Sequence, residues 1–211
     1  MGRNLDSKCT QCRRAGEKLF LKGERCNTSK CGIVKRNFPP GFHGPTRGRR
    51  KLSDYGTQLI EKQKLKKYYQ MMEKQFHLTF VKAAGKQGDA GKNFLRLLEM
   101  RLDSTVYRLG FATSRNQARQ LINHGHFEVN GVKTDIPSFI VKEGQEISVR
   151  SGSRKNTYFK HLAEQLKKKT ELPGWLDLKG ADLKGKVLHE PADSDLPVNF
   201  NVQMIIEYYS K

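Results

Sequence analysis

What this chain lacks narrows its possible roles before any motif is read. No apolar run in its 211 residues is long enough to cross a bilayer, and mean hydropathy is −0.72, which excludes a helical membrane protein. No signal-peptide core follows the polar N-terminus, so the expected compartment is the cytosol. Cysteine is absent after residue 31, and tryptophan occurs once, at Trp175. Acidic residues are scarce where basic ones are dense: residues 1–51 carry 14 Lys and Arg against 3 Asp and Glu. Over the whole chain 40 basic residues face 21 acidic ones, a formal charge of +19. Such an imbalance repels itself in a compact state unless a polyanion screens it, which points to nucleic acid as partner rather than to an acidic small substrate. Catalytic constellations are missing too. Asp103 and Asp135 have no acid/base partner nearby in sequence, and His124-Gly125-His126 lies at a helix end without a phosphate-cradling glycine loop. No enzyme activity and no small-molecule substrate are expected.

The four cysteines form two close pairs, Cys9-x2-Cys12 and Cys26-x4-Cys31, separated by thirteen residues. In a reducing compartment that spacing favours a tetrahedral thiolate site over two disulfides. A closed four-thiolate site has no open position, so the metal would be structural, folding a segment whose few large apolar side chains cannot sustain a core alone. Zinc, one ion, is the default; a 4Fe-4S cluster is the alternative. Phe38 to Lys51 follows, with three prolines and three glycines that exclude regular helix. Its Arg47, Arg49, Arg50 and Lys51 suit a phosphate surface.

Helical spacing resumes at Ser53, with Leu59, Leu65, Tyr68, Tyr69, Met72 and Phe76 as core positions of two helices or one kinked helix ending near Gly85. Asn93 is the expected N-cap of one helix from Phe94 to Leu109, on which Arg101 and Arg108 share a face. Ser114 to Gly131 organises the rest. Ser114 and Gln117 have capping-box spacing ahead of Ala118, Leu121 and Ile122, so burying that stripe is expected to push Arg115 and Arg119 out together, with Asn123 beside them. Gly125 ends the helix, Phe127 and Val129 alternate with polar residues, and Asn130-Gly131 is a strong hairpin signal. Phe139 to Val141 and Glu146 to Val149 are further strand candidates; Ser151 to Asn156 is a basic loop; Tyr158 to Leu166 reads as a helix. The apolar end, Met204-Ile205-Ile206 with Tyr208 and Tyr209, is expected to dock on the helices of residues 53–85.

The expected fold class is therefore α+β: a mostly helical N- and C-terminal domain with an N-terminal four-cysteine metal knuckle, interrupted by a helix-turn-helix with a small antiparallel sheet. Where the nucleic acid is duplex RNA, its narrow major groove keeps the bases from being read, and shape recognition through phosphates and 2′-hydroxyls is expected. Arg101, Arg108, Arg115, Arg119 and Lys133 would supply charge; Ser114, Asn116, Gln117, Gln120, Asn123, His124 and His126 would supply directional hydrogen bonds. A DNA-binding or mRNA-binding regulator using the same basic module is the alternative. Arginines on two successive helices, a following hairpin and no dimerisation heptads favour a single-copy RNA scaffold, with no homo-oligomer expected.

The run RLDSTVYRLGFATSRNQARQLINHGHFEVNG resembles the RNA-binding module typified by ribosomal protein four of the small subunit. The likeness continues through PPGFHGPTRGRRKLSDYGTQLIEKQKLKKYY, FLRLLEMRLD, IPSF and IIEYYSK, and so covers nearly the whole chain. The four cysteines resemble the metal-binding form of that family. The resemblance implies a domain plan of 1–51 as basic knuckle and extended arm, 52–98 as helical domain completed by 171–211, 99–165 as the RNA-binding module, and 166–211 as a C-terminal segment packing back on the helices. It implies a structural constituent of the cytoplasmic ribosome that binds small-subunit ribosomal RNA at a multi-helix junction of the five-prime domain and nucleates assembly. It also implies contact with ribosomal protein five of the small subunit, in a region that affects decoding accuracy, and a place near where messenger RNA enters.

Overall fold

The structure, a computed structural model, describes residues 4–45, 52–167 and 172–210. The chain divides into two compact units, one formed by residues 1–94 with 197–211 and the other by 95–196.

The first unit is helical. Helix α1 (Lys8–Ala15), a 3-10 turn (Gly23–Asn27) and α2 (Gly32–Lys35) enclose the cysteines. Leu19, Leu21 and Ile33 are buried with them, a small core for so many residues. Helices α3 (Asp54–Tyr68) and α4 (Glu73–Ala84) follow. Ser53 caps α3 by accepting from the Gly56 amide at 3.2 Å. Of the two expected forms, two helices or one kinked helix, the chain takes the first: Gln70 adopts φ +54°, which ends α3's hydrogen-bond ladder. Met72 then becomes the exposed N-cap of α4 instead of a core residue, and Met71 takes the buried place. Helix α9 (Val202–Tyr209) packs on α3, with Ile205 fully buried. Phe76, Phe80, Phe94 and Tyr209 stack in tilted and edge-to-face pairs with centroids 4.8–6.4 Å apart.

This unit also builds an ion cluster. Glu73 accepts from Lys62 at 2.7 Å, Lys66 at 2.6 Å and the Tyr209 hydroxyl at 2.9 Å. Burial pushes the Glu73 carboxyl up, but the three donors together outweigh it and hold its pKa at about 2. Burial and the same carboxylate push the Tyr209 phenol up.

The chain passes to the second unit within α5 (Ala90–Glu99). Asp89 caps α5, accepting from the Gly91 and Lys92 amides at 2.7 and 3.2 Å, so the helix starts before Asn93. It also stops early. The single helix expected from Phe94 to Leu109 is interrupted at Arg101, whose backbone is extended, and α6 (Leu102–Leu109) begins after it. The segment 136–141 explains the break by taking over the backbone bonds. Leu102 N–H donates to Phe139 O at 2.8 Å, Asp103 N–H to Pro137 O at 3.1 Å, and Val141 N–H to Met100 O at 2.8 Å. That leaves Phe139 to Val141 an isolated bridge, Arg101 with Ile140, instead of the expected strand.

Helix α7 (Arg115–Asn123) leads into β1 (Phe127–Val129) and β2 (Val132–Lys133), joined by Asn130 and Gly131 with φ +49° and +79°, the two positive values a tight hairpin turn needs. Strand β3 (Glu146–Val149) pairs antiparallel with β1. After α8 (Thr157–Lys167) come β4 (Leu176–Lys179) and β5 (Lys184–Val187), giving one antiparallel sheet of order β2-β1-β3-β5-β4. The expected plan kept 166–211 as one segment returning to the helices. The structure differs: β5 pairs with β3, Ile147 opposite Gly185, and only the last part of the chain belongs to the helical unit. The physical reason is coverage of an apolar face. Trp175, Leu176, Leu183 and Val187 join Leu102, Val106, Leu109, Ile122, Phe127, Ile147 and Val149 in one core. Gly185 is required there, because a Cβ would meet Leu109 side-chain carbons at 2.5–2.6 Å.

Candidate nucleic-acid interface

Helices α6 and α7 are locked together by charge. Glu99 and Asp103 are 0% and 1% exposed, and the guanidinium groups that meet them belong to residues expected at the surface: Arg101 is 2% exposed, Arg115 6% and Arg119 5%. Arg108 grips Glu99 with Nε to Oε2 at 2.9 Å and Nη2 to Oε1 at 2.8 Å, and Arg115 Nη2 reaches the same Oε1 at 3.2 Å. Asp103 accepts from Arg101 through Nε at 3.1 Å and Nη2 at 2.9 Å, from Arg119 Nη2 at 2.7 Å, and from the Ser104 amide at 3.0 Å. Arg115 also donates from Nε to Ser104 Oγ at 3.1 Å and lies over the Tyr107 ring at 4.7 Å. Planar bidentate geometry and several donors per carboxylate are what make buried charge tolerable.

These positions correct the expected contact set. Arg115 and Arg119 do not point out together; they point inward, because the carboxylates that neutralise them are supplied by Glu99 and Asp103, outside the helix that carries them. Nor do Arg101 and Arg108 share a helical face, since Arg101 precedes α6 and Arg108 lies in its last turn. Asp103, one of the two aspartates without an evident partner in sequence, is the anchor for two arginines. Ser114 caps α7 by accepting from the Gln117 amide at 3.3 Å, but Gln117 does not close the box on Ser114. Its Oε1 accepts instead from the Thr113 amide and hydroxyl, both at 2.8 Å.

What does reach the surface clusters at the C-terminal end of α7. Gln120, Asn123, His124 and Lys133 are exposed there and His126 is half-buried, whereas Asn116 and Gln117, also half-buried, lie at the opposite end, in the first turn of α7. Lys133 lies over Gly125, whose added Cβ would meet Lys133 Cε at 2.6 Å, so the hairpin delivers its ammonium to the helix end. The His124 and His126 rings are 6.0 Å apart. His126 Nδ1 is 2.9 Å from Ser153 Oγ, and burial, with the neighbouring His124, lowers its pKa.

The Ser153 contact brings in residues that had no assigned role. Arg150, Arg154 and Lys155 are exposed, and the Arg150 amide donates to His126 O at 2.9 Å while Arg154 Nε donates to Val149 O at 3.0 Å. The available signal was the basic run R-S-G-S-R-K directly after a strand. The site is thus a polar and basic rim made by the α7 end, the hairpin and the 150–155 loop, carried on a rigid, charge-locked helix pair. Such a surface can hold phosphates and donate to and accept from riboses and base edges. Arg47, Arg49, Arg50 and Lys51 lie outside the described residues.

The cysteines are free of disulfides; Cys12, Cys26 and Cys31 are buried. Burial raises the Cys12 pKa, with the other three thiols close enough to add to the effect. Cys26 Sγ accepts from the Lys22 amide at 3.4 Å. Among the described residues, no group of three or more His, Cys, Asp or Glu side chains is drawn close enough to hold a metal ion, and no helix is long and apolar enough to cross a membrane.

A two-part architecture of helical unit and basic helix-hairpin module defines a class, and comparison with known proteins makes it specific. Residues 3–99 match the ribosomal protein S4/S9 N-terminal domain, and residues 100–147 match the S4 domain. The small ribosomal subunit protein uS4 of Syntrophomonas wolfei is 52% identical over 211 residues, covering all of both chains. The uS4A protein of Clostridium perfringens strain SM101 is 51% identical over 211 residues and the uS4 protein of Dehalococcoides mccartyi 50% over 212, again over the whole of both chains. The chain belongs to the uS4 family of small ribosomal subunit proteins.

Proposed function

We propose that this protein is a structural constituent of the small subunit of the cytoplasmic ribosome, a binder of small-subunit ribosomal RNA with no catalytic role. The observation that carries the reading is 52% identity to a uS4 protein over the whole length of both chains, combined with an exposed rim of Lys133 in the S4 domain and Arg150, Arg154 and Lys155 just after it. Its recognition is of shape: cations neutralise phosphates while Gln120, Asn123, His124 and His126 bond to riboses and base edges. The buried arginines act indirectly, by fixing α6 against α7 and so setting the spacing of the rim.

In this reading the protein docks at a multi-helix junction of the five-prime domain and nucleates assembly there. It touches ribosomal protein five and supports decoding accuracy, with its basic arm near where messenger RNA enters. The four cysteines, Cys9, Cys12, Cys26 and Cys31, would hold one zinc ion or one 4Fe-4S cluster. The donor set suits either: all four donors are thiols, Cys26 Sγ accepts a backbone amide, and the local core is too small to hold the segment unaided. The bound group would cross-link the segment.

The test is a binding titration of the metal-loaded chain against a five-prime-domain ribosomal RNA fragment, with duplex DNA as competitor, across salt. Tight RNA binding that survives DNA competition is expected; equal affinities collapsing together with salt would contradict the reading. For the cysteines, one equivalent of metal lost together with the helicity of residues 8–35 on chelation is expected, and a metal-free chain with the same helicity would contradict it.

A further inference from the structure

What His126 can offer to RNA depends on which of its two ring nitrogens carries the proton. The ring is half-buried and packs edge-to-face on Phe159 of α8, with centroids 5.5 Å apart. Phe159 is itself 1% exposed, so the plane of the imidazole is held by the core. Burial, with His124 nearby, disfavours a charge on the ring, which is therefore neutral at neutral pH and carries a single proton. Nδ1 lies 2.9 Å from Ser153 Oγ, whereas Nε2 has no partner among the described residues and keeps contact with solvent.

Ser153 decides between the two tautomers. It is 9% exposed and closes a 3-10 turn, Ser151–Ser153, in which its amide donates to Arg150 O at 2.9 Å and its carbonyl accepts from the Asn156 amide at 3.0 Å. Among the described residues its hydroxyl has one hydrogen-bond partner, His126 Nδ1. With the proton on Nδ1, the ring would donate to Oγ and the hydroxyl hydrogen would be left without an acceptor, which buried groups rarely tolerate. With the proton on Nε2, the hydroxyl donates to Nδ1 and both groups are satisfied. Nε2–H then faces outward as a donor.

We propose that Ser153 is a positioning residue for RNA binding: its hydroxyl donates to His126 Nδ1, holds the imidazole in the Nε2–H tautomer, and so presents a neutral, directed donor to an acceptor oxygen or nitrogen on a ribose or base edge. Ser153 itself touches no RNA. The inference rests on the RNA-binding reading of the rim and deepens it, because a neutral donor contributes direction where Lys133, Arg150, Arg154 and Lys155 contribute charge. The two contributions separate in salt: losing a cation makes the salt dependence shallower, whereas losing a neutral bond weakens affinity equally at every salt concentration.

The experiment records imidazole ¹⁵N spectra of the full chain above the ordinary histidine titration range, with the His126 signals identified by their loss in His126→Phe. The wild type is expected to show the Nε2–H tautomer, with Nδ1 accepting a hydrogen bond that Ser153→Ala removes. In titrations with the five-prime-domain ribosomal RNA fragment, Ser153→Ala should weaken binding about threefold, the size of one neutral hydrogen bond, with the salt slope and urea unfolding by Trp175 fluorescence unchanged. In the His126→Phe background the same substitution should cost nothing further. An Nδ1–H tautomer in the wild type, a shallower slope in Ser153→Ala, or an equal cost with and without the imidazole would overturn the assignment. If Arg154→Gln with Lys155→Gln weakens ribosomal RNA binding while Ser153→Ala does not, the role of Ser153 falls and the RNA-binding reading stands. If the wild type prefers duplex DNA, both fall.

Discussion

The two units handle buried charge in opposite ways. In the helical unit one glutamate, Glu73, with a side chain 46% exposed, gathers Lys62, Lys66 and Tyr209. In the module, two carboxylates cut off from water, Glu99 and Asp103, are met by Arg101, Arg108, Arg115 and Arg119. Lysine is a flexible point charge that keeps part of its hydration, whereas arginine's planar fork satisfies a carboxylate in two places at once and tolerates burial better. The first cluster is a tie between helices that water still reaches. The second is a rigid strut, and losing one of its members strands a charge in a low-dielectric interior. A chain of formal charge +19 therefore spends several of its arginines inside, where Arg101, Arg115 and Arg119 are at most 6% exposed.

Breaking the strut should give the largest effect. Asp103→Leu leaves Arg101 and Arg119 without their shared carboxylate, and a loss of about 3–5 kcal/mol in the stability of the module is expected. Trp175, the only tryptophan and fully buried in that unit, reports it by fluorescence during urea unfolding. Weakened RNA binding should accompany the loss although Asp103 itself is buried. An unchanged urea midpoint would show that the strut is dispensable. The tie should matter less: Glu73→Gln is expected to cost about 1 kcal/mol or less, because the carboxylate is nearly half exposed. That loss should appear in helical circular dichroism before it appears in Trp175 fluorescence.

Acid sharpens the same comparison. Folding depresses the Glu73 pKa from 4.5 to about 2, so its stabilisation is complete above 4.5 and drains away as pH falls through that window. In Glu73→Gln the helical unit should lose this part of its acid sensitivity; an identical acid profile in wild type and variant would contradict the assignment. A smaller effect belongs to the rim. Burial beside His124 holds the His126 pKa below its ordinary value, so protonation on mild acidification adds positive charge and should strengthen RNA binding modestly, a gain that His126→Gln removes.

Local signals were readable in the sequence and distant pairings were not. The Ser114 cap, the Asn130-Gly131 turn, the break between α3 and α4 and the apolar face of α9 rest on residues close together in the chain. The inward turn of Arg115 and Arg119 depends on carboxylates sixteen positions away, and no periodicity within α7 reveals them. For the same reason the interruption at Arg101 was hidden, since the segment 136–141 supplies its backbone partners. Strands β4 and β5, short and far from β3 in sequence, carry too little pattern to announce that they complete the sheet. The candidate surface was half legible. Gln120, Asn123, His124, His126 and Lys133 came from the motif, whereas Arg150, Arg154 and Lys155 join them only through the His126 to Ser153 contact.

In the proposed reading the rim, and not the buried arginines, supplies the charge that meets RNA. That assignment is tested most directly by the salt dependence of binding to the five-prime-domain RNA fragment for the wild type and for a variant carrying Lys133→Gln, Arg154→Gln and Lys155→Gln. If these three residues meet phosphates, the slope of log affinity against log salt should become shallower by about two to three, with unfolding by Trp175 fluorescence unchanged. An unchanged slope and affinity would contradict the account and return the contact to the helices themselves.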